Sequence, residues 1–476
     1  MYSLAEKAPD RTENLGEIRG ILRAVTHADE EACIANLLES SSLSAAAQQR
    51  IVDASRELVA LSRQKSDEQG TMDYFLQEFG LSNREGVALM CLAEALLRVP
   101  DGLTADKLIA EKVQSGDWSV HKGKSESLFV NASTWGLMMT GGIVNLGNDV
   151  TENFSGWMKR LISKSGEPVI RRAVLQAMRI MGGQYVLGRT IEEAAKRGRK
   201  ENRPDTRFSF DMLGEGARTL EDAAQYFTAY RQAIEKIGVE NKMGDIYDAQ
   251  SISVKFSALH PRYEFAQVET VMSDIYPKVR TLALAAKKHG LGFTIDAEEA
   301  DRLDISLDIF EALARDPDLG PWDGLGFVVQ AYQKRAPYVL DWLISLGREL
   351  SQTSMARKFM IRLVKGAYWD SEIKHAQEMG LADYPVYTRK PTTDLSYQIC
   401  AERMMRAQEV IYAQFATHNA YSIALILELA GDRRDFEFQR LHGMGQLLYD
   451  QLQDSISPKV NMRVYAPVGA HKDLLP

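Results

Sequence analysis

Lys255, Asp296, Gln330, Arg362, Lys390, His418, Gln439 and Tyr465 each fall near the C-terminal end of a short β-branched or aromatic run. Gathered in one place they would offer cations, a carboxylate, an imidazole, carboxamides and a phenol. That set is poor for a metal: His418 is its lone histidine, and a hard cation wants several oxygen ligands where Asp296 is the one well-placed carboxylate. His260 and His442 also stand near run ends and read as loop residues, so no metal site is expected. Lys255 has three readings. It is a Schiff-base nucleophile if burial lowers its pKa, a structural partner of Asp296, or half of a polar clamp with Asp296 around a small charged substrate. The clamp agrees best with two nearby motifs. Val364-Lys-Gly-Ala-Tyr-Trp369 supplies a glycine for close backbone approach and then two aromatics that can stack on a ring system. Tyr387-Thr-Arg-Lys390 supplies hydroxyl and cationic groups suited to a pyrophosphate. Together they suit a large anionic cofactor.

Such groups need a scaffold that brings strand ends to one face. The candidate strands are Ser251–Ala258, Gly292–Glu298, Gly324–Tyr332, Phe359–Ala367, Tyr384–Lys390, Ile411–Asn419, Phe436–His442 and Arg463–Val468. Most gaps hold helical patterns, among them Ala266–Lys288, Ile305–Ala314 and Leu340–Leu350. Repeated strand–helix units predict an α/β fold, a (β/α)8 TIM-type barrel over residues 188–476. A doubly wound open sheet is the alternative, but the glycine-rich first turn of a dinucleotide fold is missing. Strand side chains alternate faces. Ile252, Val254, Phe256 and Ala258 then face the helices, while Ser251, Ser253, Lys255 and Ser257 face the barrel interior. The same parity sends Asp296, Gln330, Arg362, Val364, Thr388, Lys390, His418, Gln439 and Tyr465 inward. Buried charges are costly unless paired, and barrel active sites lie at the C-terminal mouth, so this ring is read as functional.

The chain has 476 residues, is 45% apolar and 26% charged, and carries a net charge of −8. These ordinary globular proportions exclude disordered, collagenous and coiled-coil classes. The acidic balance disfavours a broad nucleic-acid surface, which needs clustered Lys and Arg. Cys33, Cys91 and Cys400 are far apart in sequence, so neither a disulfide framework nor a CxxC metal site is expected, and a reducing cytosol fits best. No segment reaches the ~18 uncharged apolar residues of a membrane span, and Met1–Arg11 lacks the apolar core of a signal peptide. Residues 1–66 read as a helical arm, with Leu15, Ile18, Ile21, Leu22 and Val25, then Cys33, Ile34, Leu37 and Leu38, then Ile51, Leu58, Val59 and Leu61 at helical spacing. The arm is too short to bury a large core alone; it packs on another subunit, wraps the remainder, or forms an ordinary extra helical layer. Residues 67–187 read as a helical domain, with a capping box at Ser82–Glu85, a turn at Pro100–Gly102, a polar loop around His121 and a helix over Glu167–Met181.

Several ordered motifs span the chain: Ser253-Val-Lys-Phe-Ser-Ala-Leu-His260, Thr294-Ile-Asp-Ala-Glu-Glu-Ala-Asp-Arg302, Val329-Gln-Ala-Tyr-Gln-Lys334, Arg362-Leu-Val-Lys-Gly-Ala-Tyr-Trp-Asp370, Ala416-Thr-His-Asn419, Phe436-Glu-Phe-Gln-Arg-Leu-His-Gly443 and Tyr465-Ala-Pro-Val-Gly469. Glu167-Pro-Val-Ile-Arg-Arg-Ala and Phe210-Asp-Met-Leu-Gly-Glu-Gly join them upstream. On these motifs the sequence resembles the proline dehydrogenase part of bacterial proline utilization A, a bifunctional proline-catabolic flavoenzyme. The resemblance implies FAD at the barrel mouth, oxidation of L-proline to Δ1-pyrroline-5-carboxylate, and a membrane quinone as electron acceptor, with peripheral contact at the inner face of the membrane. It places Arg362 beside the isoalloxazine and Gln330 and Gln439 near the flavin. Val364, Gly366 and Trp369 shape the cofactor pocket, and Thr388, Lys390, Thr393, His418 and Asn419 address the phosphates, ribose or adenine. Lys255 and Asp296 lie by the substrate, with Ala367, Tyr368, Leu441 and Tyr465 completing its pocket. An enzyme of the Schiff-base aldolase type and an inert scaffold remain the alternatives.

Two differences from the family shape further expectations. Some members open with a DNA-binding ribbon–helix–helix module; this chain starts near the helical arm without a basic segment, so no nucleic-acid partner is expected. The family also places a helix with a tyrosine and paired arginines after the strand carrying Tyr465, and an aldehyde dehydrogenase domain beyond it. The sequence stops at His471-Lys-Asp-Leu-Leu-Pro476, and a chain of these residues alone is expected to turn over proline poorly. Association through the arm is a further expectation.

Overall fold

A computed structural model describes residues 14–66, 185–203, 205–241, 244–456 and 459–469. The helical domain expected over 67–187, with its capping box, turn, polar loop and Glu167–Met181 helix, lies outside the described residues but for its final positions. Eight parallel strands close into a barrel in sequential order. They are β1 (Arg207–Met212), β2 (Ser251–Val254), β3 (Gly292–Ile295), β4 (Leu325–Gln330), β5 (Phe359–Val364), β6 (Ile411–Ala416), β7 (Phe436–Leu441) and β8 (Asn461–Val468). β8 closes on β1, with Ser209 opposite Tyr465.

The described helices are α1 (Leu15–Ala24), α2 (Glu30–Ser40), α3 (Ala45–Ser66), α4 (Ile191–Glu201), α5 (Leu220–Glu240), α6 (Val268–Lys288), α7 (Leu303–Ala314), α8 (Ala336–Ser351), α9 (Trp369–Glu378), α10 (Lys390–Arg406), α11 (Ala420–Ala430) and α12 (Gln446–Ser455). α5 starts on a capping box in which Thr219 and Asp222 exchange side-chain and backbone hydrogen bonds. α8 opens with a proline in its first turn and buries Val339, Leu340, Leu343 and Ile344. The outward faces of the strands meet these helices as the parity predicts. Ile252, Val254, Phe293, Ile295, Phe327, Val329, Ile361 and Leu363 all join one core. Period-2 alternation therefore fixes which residues point into the barrel.

One expected strand is wrong and one real strand was missed. Tyr384–Lys390 is a loop with a single antiparallel bridge, Val386 to Gln333. Pro385 has no N–H to give a ladder, and Lys390 with Pro391 already opens α10. Thr388 and Lys390 accordingly lie exposed beside the mouth rather than inside the barrel. The true first strand is β1, where Phe208 and Phe210 join the core and Ser209 and Asp211 face inward. The expected strands corresponding to β2–β7 run too long at their C-terminal ends, and β8 starts two residues before the expected Arg463; β2 ends at Val254 and gives way to a 3₁₀ turn over Phe256–Ala258.

The arm packs on the barrel of its own chain. Ile18 and Leu22 of α1 enter the main core. Arg19 donates to the Asp304 carbonyl at 2.9 Å and Arg23 to the Asp304 carboxylate at 2.8 Å. Cys33 and Leu37 of α2 cluster with Tyr387 and Ile399, and Ile51 of α3 packs on Ala424 and Leu425. No helix among the described residues is long and apolar enough to cross a membrane.

Candidate active site

The barrel interior is polar and layered. Toward the strand N-termini, Arg463 of β8 and Glu437 of β7 form a pair with side chains only 1% and 0% exposed. Arg463 Nε donates to Glu437 Oε1 at 2.7 Å and Nη2 to Oε2 at 3.1 Å. Its Nη1 donates to the Ala249 carbonyl at 2.7 Å. Gln414 and Gln439 donate to the same Glu437 oxygen at 2.9 and 2.6 Å.

The next layer up holds a continuous chain of charge-assisted contacts. Asp211 Oδ2 accepts from Lys255 Nζ at 2.9 Å, and Lys255 Nζ lies 3.2 Å from the Tyr465 hydroxyl. That hydroxyl donates to Asp296 Oδ2 at 2.7 Å, and Asp296 Oδ1 accepts from Arg362 Nη1 at 2.8 Å. Arg362 Nη2 is held by Ser209 and Ser253 at 3.0 and 3.1 Å. Arg362 also sits 5.1 Å from the centroid of the Tyr465 ring. Lys255 and Asp296 do meet, at 3.6 Å, but the nearer partner of the lysine is Asp211. Burial alone would depress the Lys255 ammonium; Asp211 foremost, then Tyr465 and Asp296, hold it well above the usual lysine range. Burial, reinforced by Asp211 and Asp296, pushes the Tyr465 phenol far up. A lysine held as an ammonium is a poor Schiff-base nucleophile, which leaves the clamp and the structural pairing as the readings of Lys255.

Above this layer lie the strand ends. Gln330 donates to the Glu298 carbonyl at 2.9 Å and accepts from the Ala367 N–H at 3.3 Å, which fixes the β5 exit. Gly366 has φ +140°, and a Cβ there would lie 2.4 Å from the Tyr332 ring, so the turn needs glycine. Tyr368 is half-buried, with its hydroxyl 3.5 Å from Glu215. Trp369 is 41% exposed and donates to the Tyr387 carbonyl at 2.9 Å. His418 Nε2 accepts from the Leu441 N–H at 3.0 Å, and burial, with help from Arg440, lowers the imidazole pKa to about 4. Leu441 itself is 40% exposed.

To one side, the N-terminus of α10 has no side-chain cap. Lys365 and Lys390 converge there on Asp394, at 2.5 and 2.6 Å. Burial works against it, but hydrogen bonds from Lys365 and then Lys390 hold the Asp394 carboxyl below the usual range. An uncapped helix start with two lysines beside it suits an anion. Thr393 is buried in the first turn of α10. The Asn419 side chain is occupied in part, since its Oδ1 caps α11 by accepting from the Ser422 N–H at 3.1 Å.

Lys255, Asp296, Arg362 and Tyr465 are thus in direct contact, with Gln330, Val364, Gly366, Ala367, Tyr368, His418, Gln439 and Leu441 at neighbouring strand ends or in the layer below. Thr388, Lys390 and Thr393 form a separate group at the start of α10. Asp211 and Ser209 join the layer from β1, a strand outside the expected set, and Ser253, expected to face inward, joins it from β2. The signal for Asp211 and Ser209 is the alternation Phe208-Ser-Phe-Asp211, legible as a strand with polar inward positions.

Comparison with known proteins bears on both parts of the chain. The family model described as proline dehydrogenase matches residues 194–476, and one described as the DNA-binding domain of proline dehydrogenase matches residues 71–185. The second match goes against the expectation of no nucleic-acid partner, which rested on net charge and on the lack of a basic N-terminal segment and is not retained. The bifunctional protein PutA of Klebsiella aerogenes is 52% identical over 412 residues, 85% of this chain and 31% of that protein. Proline dehydrogenase 1 of Bacillus subtilis is 26% identical over 295 residues, 61% of this chain and 83% of that protein. A crystal structure of a Bradyrhizobium japonicum proline utilization A mutant superposes with a TM-score of 0.70 at 46% identity, covering 94% of this chain and 44% of that one. The chain spans about a third of the length of the bifunctional relatives.

Proposed function

Since the chain belongs to the proline dehydrogenase family, we propose that it oxidises L-proline to Δ1-pyrroline-5-carboxylate at the barrel mouth, with FAD as cofactor and a quinone as the next electron acceptor. The observation that carries this reading is the chain Asp211–Lys255–Tyr465–Asp296–Arg362. It sets two cations just below the strand ends and keeps both paired. An amino acid substrate brings a carboxylate, and Lys255 is the cation that attracts it. Asp211 and Asp296 keep Lys255 from lying unpaired in a low-dielectric site, a condition that would be severely costly. Tyr465 keeps its proton and so orients Asp296 by donation.

The described residues fit the cofactor. Arg362 Nε and Gln439 Oε1 are buried without a hydrogen-bond partner among the described residues, on groups otherwise fixed by their neighbours. The Gly366 turn leaves the backbone bare at the β5 exit, and Lys365, Lys390 and the uncapped start of α10 suit the phosphates. Arg362, Gln330, Val364, Gly366, Trp369 and Gln439 would hold the ring system, with Thr388, Lys390, Thr393, His418 and Asn419 toward the phosphates, ribose or adenine. FAD supplies an acceptor for the hydride that leaves the ring carbon beside the proline nitrogen, while the nitrogen gives up its proton and the C=N bond forms. Ala367, Tyr368 and Leu441 would line the substrate side, and Arg362 would favour a bound ring system that carries negative charge. The three-part organisation (arm 1–66, helical domain 67–187, barrel 188–476) and a cytoplasmic location with peripheral membrane contact for quinone access complete the proposal.

The test is an anaerobic absorbance spectrum of the purified protein before and after L-proline. Flavin absorbance that bleaches on proline supports the proposal. A colourless protein that traps a carbonyl substrate on Lys255 under borohydride would favour the aldolase reading instead.

A further inference from the structure

Among the described residues, the helical arm meets the cofactor region at the loop that leads into α10. The loop that leads into α10 is held from two sides. From the barrel, the Tyr387 N–H donates to the Tyr332 carbonyl at 2.8 Å, and the Lys334 N–H donates to the Pro385 carbonyl at 3.1 Å. From the arm, both carboxylate oxygens of Glu30 accept from the Thr388 N–H, at 3.1 and 3.2 Å. The contact is anchored next door. Lys334, whose side chain is 0% exposed, donates to the Ala28 carbonyl at 2.7 Å and to Asp383 at 2.8 Å. Farther along α10, Gln398 donates to Ser41 at 2.9 Å, and Ser42 donates to Glu402.

We infer that the arm is a working part of the cofactor cradle, with Glu30 as a positioning residue that fixes the Thr388–Lys390 corner for the phosphates; this rests on the FAD reading above. The physical need is plain. The loop has one isolated bridge and no ladder, so its backbone N–H groups must find partners elsewhere. Thr388 stands just ahead of α10, where a carboxylate is favoured by the helix dipole. A corner ordered before the ligand arrives costs less conformational entropy on binding. The opposing effect is repulsion between Glu30 and the phosphates, and the two effects predict opposite signs.

The experiment titrates flavin-stripped full-length chain with FAD by fluorescence quenching, in the wild type, Glu30→Ala and Glu30→Gln. Loss of one such hydrogen bond should raise the FAD Kd about three- to tenfold in Glu30→Ala. Glu30→Gln still offers an oxygen to Thr388 and should stay within about twofold of the wild type. Amide exchange at Thr388 should quicken in Glu30→Ala alone, which separates a local loss of order from unfolding. Unchanged affinity in both variants, or tighter binding in both, overturns the inference, the latter because it makes Glu30 a mere competitor of the phosphates. A wild-type chain that binds no FAD takes down the cofactor reading itself and the inference with it.

Discussion

Two layers of charge fill the same barrel, one residue pair apart along β8, and they serve different ends. In the lower layer Arg463 and Glu437 face each other through two hydrogen bonds, wholly out of solvent. In the upper layer Lys255, Asp211, Asp296, Arg362 and Tyr465 are paired as closely, yet Lys255 and Tyr465 keep some exposure and the strand ends above carry exposed Gly366, Ala367 and Trp369. Pairing is therefore no mark of a site, because any buried charge needs it. Depth along the strand and access from the mouth make the difference. Gln439 spans the distinction: its Nε2 serves the lower carboxylate while its Oε1 has no partner among the described residues.

The comparison breaks most readily at the lower layer. Glu437→Gln leaves Arg463 buried without its counter-charge and should cost about 3–5 kcal/mol of stability, read by urea unfolding. A Glu437→Gln protein with normal stability and lost proline affinity would move that layer into the site. In the upper layer, Lys255→Met should raise the proline KM about thirtyfold, the loss of one charge-assisted contact. Stability should fall as well, since Asp211 loses its partner, so proline affinity and not melting separates the layers. Asp211→Asn is milder. It should lower kcat/KM about tenfold and move the alkaline limb of the pH profile downward, because the carboxylate is the foremost group holding the Lys255 ammonium.

The smallest effect is a pH dependence at the rim. His418 has its folded pKa lowered to about 4 and accepts the Leu441 N–H only when neutral. A folded value below the unfolded one of about 6.5 means its contribution is complete above that pH and is lost as pH falls through 4. Thermal melts between pH 7 and 4 should show a loss of ~1 kcal/mol after discounting for its partial exposure, reduced in His418→Gln.

Much of this was legible from residue alternation. The inward positions of Lys255, Asp296, Gln330, Arg362, Gln439 and Tyr465 follow from period-2 parity, which a one-residue slip would have inverted. The barrel itself was readable because its strands are buried on both faces and its helices are amphipathic. The Tyr384–Lys390 segment misled because β-branched and aromatic residues also suit a loop pinned against apolar neighbours, and only Pro385 and Pro391 argue otherwise. Missing β1 removed Asp211 from view, and with it the nearer partner of Lys255. Asp211 reaches Lys255 through the pairing of β1 with β2, whereas Tyr465 reaches it through the closure of β8 onto β1, a long-range contact that local pattern does not carry.

The most direct measurement is an anaerobic proline titration of the flavin-loaded protein, followed by bleaching of the flavin absorbance, in Lys255→Met and Glu437→Gln beside the wild type. The account predicts that Lys255→Met needs about thirtyfold more proline, whereas Glu437→Gln bleaches at the wild-type concentration despite its lower melting temperature. Bleaching of Lys255→Met at the wild-type proline concentration would contradict it.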